Sequence, residues 1–129
     1  EKSKFKYMQS HQNDPLGAAI VNEVIETIQE EDLVSRAAIK GAIFLENLQA
    51  LKDGVQITEV RGRGLMFAVD ICNQKSGERI YRALLDKGYI VCDRGALFRI
   101  DPPLIIDENE FLQFTDDFRE IIQAQSSSR

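Results

Sequence analysis

Arg99 is the residue with most to offer chemically. It stands between Phe98 and Ile100 in Leu97-Phe98-Arg99-Ile100, so on a strand it shares the face of Leu97 and points away from its aromatic neighbour. An arginine in an otherwise apolar strand either pairs with a carboxylate of the protein or receives one from a ligand. The pattern alone leaves both readings open. The planar guanidinium fork suits two-pronged carboxylate recognition in either case. A second stretch, Arg61-Gly62-Arg63-Gly64, invites a phosphate-cradling reading, but such a loop needs a helix after it to supply the anion site, and here a strand follows. Arg-Gly binding to nucleic acid needs repetition and an acid-poor setting, so the stretch reads as a tight turn. Asp70, Asp93, Asp101 and Asp107 show no spacing that marks an acid/base pair. His11 is the single histidine and Cys72 and Cys92 form no CxxC, so neither a metal site nor a histidine-based triad is expected. The two cysteines read as reduced thiols in or beside strands.

The elements that must position these residues follow from periodicity. Residues 1–13 show no sustained period and read as an irregular arm. Asp14 then caps a helix with Pro15 in its first position, and Ile20, Val24 and Ile28, flanked by Val21 and Ile25, predict a wide buried stripe. Glu30 and Glu31 are unfavourable at the negative end of a helix, which breaks there. Asp32 is expected to cap a second helix to about Leu51, with Val34, Ala38, Leu45 and Leu48 on one face. Gly41 within it suggests close approach to another element. Asp53-Gly54 ends the helical region. A strand is expected over 55–60, and a second over 65–71, where Leu65, Phe67, Val69 and Ile71 alternate with a mixed set. Ser76 is expected to cap a short helix carrying Ile80, Leu84 and Leu85, stopped by Gly88. Residues 89–92 and 97–100 read as a hairpin around Asp93-Arg94-Gly95-Ala96, and Pro102-Pro103 forbids further ladder pairing. Asp107, with Glu110 after it, opens a last helix burying Phe111, Phe114, Phe118, Ile121 and Ile122. The order predicts an α+β domain, a small and mostly antiparallel sheet covered by helices on one face.

Length and composition set outer bounds. The chain has 129 residues, 43% of them hydrophobic, enough for one compact domain with a core. A formal net charge of −5 argues against a broad nucleic-acid footprint. No apolar run approaches the roughly 20 residues of a membrane helix, and no signal peptide is evident. The first residue is Glu1 rather than Met, which reads as a piece of something longer.

Three stretches together carry a family resemblance. Ser10-His11-Gln12-Asn13-Asp14-Pro15-Leu16-Gly17-Ala18-Ala19, Val60-Arg61-Gly62-Arg63-Gly64-Leu65-Met66 and Phe98-Arg99-Ile100-Asp101-Pro102-Pro103-Leu104 resemble, in order and interval, the end of class III aminotransferases of the ornithine, acetylornithine and 4-aminobutyrate kind. The resemblance implies the C-terminal small domain of a fold type I enzyme. Residues 1–13 would then be an arm from the large-domain side, 14–125 the small domain and 126–129 a tail. It implies pyridoxal 5'-phosphate as cofactor, amino and keto acids as substrates, and a cytoplasmic homodimer, with no nucleic acid or membrane partner. Two site residues carry over. Ser10, five residues before Pro15, stands where the family often has a threonine that contacts the cofactor phosphate of the neighbouring subunit. Arg99, before the double proline, stands where the family binds the substrate carboxylate. The Schiff-base lysine and the groups around the cofactor ring belong to the large domain in this family, and Lys40, Lys52, Lys75 and Lys87 match none of those motifs. No catalytic residue is therefore expected in this chain, and alone it should be inactive. The alternatives are a free-standing α+β binding or dimerisation module, and the small domain of a related aminomutase or decarboxylase.

Overall fold

The computed structural model describes Ser10, residues 14–53 and residues 55–126. The rest of the expected arm with His11, Gly54 of the expected stop, and residues 127–129 of the expected tail lie outside the described residues. The elements are α1 (Pro15–Glu30), α2 (Leu33–Gln49), β1 (Ile57–Arg63), β2 (Met66–Ile71), α3 (Gln74–Asp86), β3 (Cys92–Asp93), β4 (Leu97–Ile100) and α4 (Glu108–Ser126). The chain falls into two compact units, residues 1–34 and residues 35–129.

In the first unit α1 starts as its sequence dictates. The Asp14 carboxylate accepts from the Leu16 N–H at 3.1 Å, and Pro15 occupies the first turn. The helix ends at Glu30, with Glu31 as its C-cap. The expected buried stripe is not found. No α1 residue is buried, and Leu16, Ile20, Val21, Val24 and Ile25 are 47–68% exposed. Amphipathic period tells which side of a helix avoids water, and the cover must come from another element. Asp32, immediately before α2, has φ +48°, away from the extended backbone usual at an N-cap.

In the second unit the strands form one antiparallel sheet in the order β1-β2-β4-β3. Alternation sorts its two faces. Val60, Phe67, Val69, Ile71, Phe98 and Ile100 are buried on the inner face, where residues of α2, α3 and α4 complete one core. Phe44 of α2 stacks on Phe111 of α4 with centroids 3.8 Å apart, and Phe114 and Phe118 extend the aromatic row. Each such ring buried on folding contributes on the order of 1.5–3 kcal/mol. The fold is α+β, with helices on one face of the sheet, as expected.

Several local expectations need correction. The α2 face turned inward carries Ala37, Gly41, Phe44 and Leu48, whereas Val34 is 70% exposed and Ala38 is exposed. Gly41 decides that rotation. A Cβ there would lie 2.1 Å from the carbonyl oxygen of Gly64, whose own φ of +55° makes the β1–β2 turn. Only a glycine lets helix and turn meet so closely. Gly77 of α3 repeats the device, since its Cβ would lie 1.9 Å from the carbonyl oxygen of Gly95 in the β3–β4 turn. β1 runs further than expected, through Arg61-Gly62-Arg63, and the turn is confined to Gly64-Leu65. Gly62 lies within the strand opposite Phe67, whose ring occupies the space a side chain there would take. Asn73, not Ser76, caps α3, with its Oδ1 accepting from the Ser76 N–H at 2.9 Å. Leu85, expected among the residues α3 carries inward, is 42% exposed. Beyond α3, the Gly88 and Tyr89 N–H groups donate to the Leu85 and Leu84 carbonyls, the usual closure around a glycine. Asp107 opens α4 as expected, its Oδ1 accepting from the Asn109 N–H at 2.8 Å.

Candidate functional site

The outer face of the sheet gathers the arginines. Arg61 lies opposite Ala68, Ala68 opposite Arg99, and Arg99 opposite Cys92, so one row crosses all four strands. Directly opposed residues share a face, and the small Ala68 leaves the space between the two guanidinium groups open. Arg63 lies one step along, opposite Met66, and Arg94 stands in the β3–β4 turn, its N–H donating to the Leu97 carbonyl at 2.9 Å. Arg61, Arg63, Arg94 and Arg99 line an open depression of about 630 Å³ floored by Ala68 and Leu97.

Two of the four arginines are already engaged. Arg99 Nη2 donates to Asp101 Oδ2 at 2.9 Å, and this hydrogen bond, with the Asp101 charge and a smaller contribution from Cys92, holds the guanidinium above its ordinary range. Both side chains are about half exposed. Arg61 donates to Asp70 and lies 3.6 Å from Glu59, and the Asp70 bond raises it likewise. Arg63 and Arg94 pair with no carboxylate among the described residues. Arg99 thus faces outward beside Leu97, as alternation predicts, and its pair with Asp101 is the intramolecular one that the pattern allowed. With its remaining donors open to the depression, the arginine face can hold an oxyanion or a carboxylate. Among the described residues, the other groups beside it are the Cys92 thiol and the Asp70 and Asp101 carboxylates, each carboxylate already held by an arginine.

Ser10 is in a turn and exposed, in the unit of residues 1–34. Among the described residues, no lysine lines the arginine depression. Lys40 donates to the Ile106 carbonyl at 2.5 Å, which ties α2 to the loop after β4. Lys87 bridges Asp117 at 2.5 Å and Glu120 at 2.8 Å. Asp117 also accepts from the Tyr89 hydroxyl at 2.6 Å and from Gln113 at 3.2 Å. The Lys87, Tyr89 and Gln113 bonds hold the Asp117 carboxyl down at about 2, while burial and then the Asp117 bond push Tyr89 up to about 12. This cluster pins the end of α3 to α4 and lies apart from the arginines. Asp53 marks the start of the sheet. Burial acts to raise its carboxyl, but N–H bonds from Ile57, Val55 and Gln56 more than offset this and hold it below its ordinary value.

Cys72 and Cys92 are free thiols, one just after β2 and one in β3. Among the described residues, no three His, Cys, Asp or Glu side chains could hold a metal ion, and no helix is long and apolar enough to cross a membrane. Sequence reasoning missed the Asp101 partner and the convergence of Arg61 and Arg94 on Arg99. The signal for the first was the two-residue spacing of Arg99 and Asp101 across one strand end.

A family profile described as Aminotransferase class-III matches residues 8–122. Ornithine aminotransferase of Bordetella pertussis (strain Tohama I) is 33% identical over 99 residues, covering 75% of this chain and 24% of that protein. Acetylornithine aminotransferase of Methanothermobacter thermautotrophicus is 33% identical over 99 residues, covering 75% of this chain and 25% of its own length. The chain thus spans about a quarter of the length of these relatives. Among solved structures, acetylornithine aminotransferase from Elizabethkingia anophelis superposes with a TM-score of 0.83 at 25% identity, over 95% of this chain and 32% of that one. The omega transaminase from Pseudomonas jessenii, solved in complex with PMP, shares the fold at a TM-score of 0.85 and 24% identity, over 94% of this chain and 29% of that one. With a family match over nearly its whole length and an antiparallel α+β layer like that of solved transaminases, the chain belongs to the class-III aminotransferases, a family dependent on pyridoxal phosphate.

Proposed function

We propose that residues 14–125 are the C-terminal small domain of an aminotransferase that moves an amino group from an amino compound to a keto acid. The observation that carries the reading is Arg99, a guanidinium aimed out of a rigid strand into an open arginine-lined depression, within the motif that binds carboxylate in the family. Its task is orientation. A carboxylate held on a strand keeps the reacting carbon in a fixed place relative to the cofactor, and a strand holds its residues more rigidly than a loop does. Ser10 is assigned to the cofactor phosphate across a homodimer interface, where its exposed hydroxyl would donate one hydrogen bond. As part of the same proposal the enzyme is cytoplasmic.

In this reading Ser10 would offer a hydroxyl to the phosphate of pyridoxal phosphate, and Arg99 a fork to the substrate carboxylate. Bound cofactor supplies the electron sink for amino transfer. Among the described residues no lysine lines the arginine depression, and Lys40 and Lys87 are held in bonds elsewhere. The exposed apolar stripe of α1 supports a further polypeptide surface lying over it, because patches of that kind generally meet a partner. We therefore expect this chain to be inactive by itself. The test mixes it with pyridoxal phosphate, reduces with borohydride and maps the labelled peptides. Label spread thinly over several exposed lysines, without turnover, is the expected result. One lysine labelled stoichiometrically, together with turnover of an amino acid, would overturn the reading.

A further inference from the structure

We infer that a second hollow, between the approach to β3 and the start of α4, binds a small primary ammonium with a short apolar body. It encloses about 280 Å³ among residues 89–91, which lead into the edge strand β3, the loop 101–106 after β4, and the first turn of α4. It shares no lining residue with the arginine depression, and the inference does not rest on the aminotransferase reading. The lining is largely apolar, with Ile90, Val91 and Ile106 beside the rings of Tyr89, Phe111 and Phe114. A concave apolar lining with a few polar groups on it is the usual form of a small-molecule site.

The polar groups decide the charge of the ligand. Glu110 lines both this hollow and an adjoining surface that it forms with Tyr89, Asn109 and Gln113. Glu110 and Gln113 are three residues apart and so share a face of α4. Gln113 donates its amide N–H to Asp117 at 3.2 Å, which leaves its carbonyl oxygen to accept. Glu110 pairs with no cation among the described residues, and no described lysine or arginine lines the hollow or the adjoining surface. Asp101 adds a second carboxylate, one already shared with Arg99. An ammonium carries three donors and no acceptor, so it matches a rim of acceptors, whereas a carboxylate would be repelled. The wall beside Glu110 is fixed, because the Tyr89 hydroxyl donates to Asp117 at 2.6 Å and its ring meets Phe114 edge-on with centroids 5.1 Å apart. A cation that meets an aromatic face there gains a further attraction.

The test titrates the whole chain at low ionic strength with butylammonium, with the neutral 1-butanol and with the anion pentanoate, following the methyl signals of Ile90, Val91 and Ile106 by NMR. The three ligands carry the same butyl chain and differ in the charge of the head. Butylammonium is expected to bind about three- to tenfold tighter than butanol, the range that one exposed ion pair with an aromatic contact can supply, and pentanoate to bind weakest. Glu110 is exposed, so Glu110→Gln should fold as the parent does. It should remove most of the preference for the ammonium while leaving the butanol affinity unchanged, which a merely structural change would not do. Methyl signals that stay still with butylammonium, butanol binding as tightly as butylammonium, or a preference that survives Glu110→Gln would each overturn the inference.

Discussion

Replacing Gly41 with alanine gives a demanding test of how α2 is set against the sheet. In an exposed helix interior the change would stabilise by about 1 kcal/mol, because alanine loses less conformational freedom on folding. Here the new Cβ would lie 2.1 Å from the Gly64 oxygen, 2.5 Å from its carbonyl carbon and 2.8 Å from its Cα. Ordinary contact begins near 3.4 Å, so helix and turn must separate by more than an ångström, and all three obstructing atoms are backbone. Overpacking of this kind costs roughly 1–3 kcal/mol, and a clash with backbone belongs at the top of that range. Subtracting the propensity gain leaves a net loss of about 2 kcal/mol. For a chain of this length that lowers the melting temperature by about 7 °C. Urea unfolding followed by circular dichroism should show a lower midpoint with an unchanged slope. Faster amide exchange at the Gly64-Leu65 turn should accompany it. A variant as stable as the parent, or about 1 kcal/mol more stable, would refute the argued helix–turn contact.

Other outcomes follow from named contacts. Arg99→Lys in the full-length enzyme should weaken turnover of carboxylate substrates, since a point charge replaces a fork, and unchanged kinetics with every carboxylate substrate would remove Arg99 from the site. Ser10→Ala should loosen cofactor binding by about 1 kcal/mol, the usual worth of one hydrogen bond, and equal cofactor affinity in the two proteins would contradict its role. Asp117 is held near 2, below its ordinary 3.8, so the stability it contributes is complete above the ordinary value and is lost as pH falls towards 2. Asp117→Asn should flatten that acid limb of the unfolding curve. Tyr89 is raised from 10 to about 12, so its contribution is present below 10 and declines as pH rises towards 12, a limb that Tyr89→Phe should remove.

The parts of the fold legible in sequence were those whose cause is local. Asp14-Pro15 and Asp107 announce helix starts through their own hydrogen-bonding chemistry, and the Leu65-to-Ile71 alternation marks the buried side of β2. What escaped was decided at a distance. α2 carries Val34, Ala38, Ile39 and Ile43 as well as Ala37, Phe44 and Leu48, so its apolar residues surround the helix and period alone cannot choose a face. The carbonyl of Gly64 chooses it. The outward direction of Arg99 was legible because a strand alternates, but its company was not. Arg61 becomes its row-mate only because β2 separates β1 from β4, and that strand order has no local signature. Ser76 was the expected cap of α3, and the cap proves to be Asn73, three residues earlier, whose side chain accepts from the Ser76 N–H.

The row from Arg61 through Ala68 to Arg99 has a consequence for how such a protein can change over generations. In β2 and β4 the inward residues Phe67, Val69, Phe98 and Ile100 answer to folding, and the outward residues Ala68, Leu97 and Arg99 answer to whatever meets the arginine face. The two demands are written in alternate letters of the same short words. Substitutions at Ala68 or Leu97 could therefore widen, narrow or recharge the depression while the hydrophobic letters between them are copied unchanged. Inheritance can retune what this surface accepts without renegotiating the core beneath it.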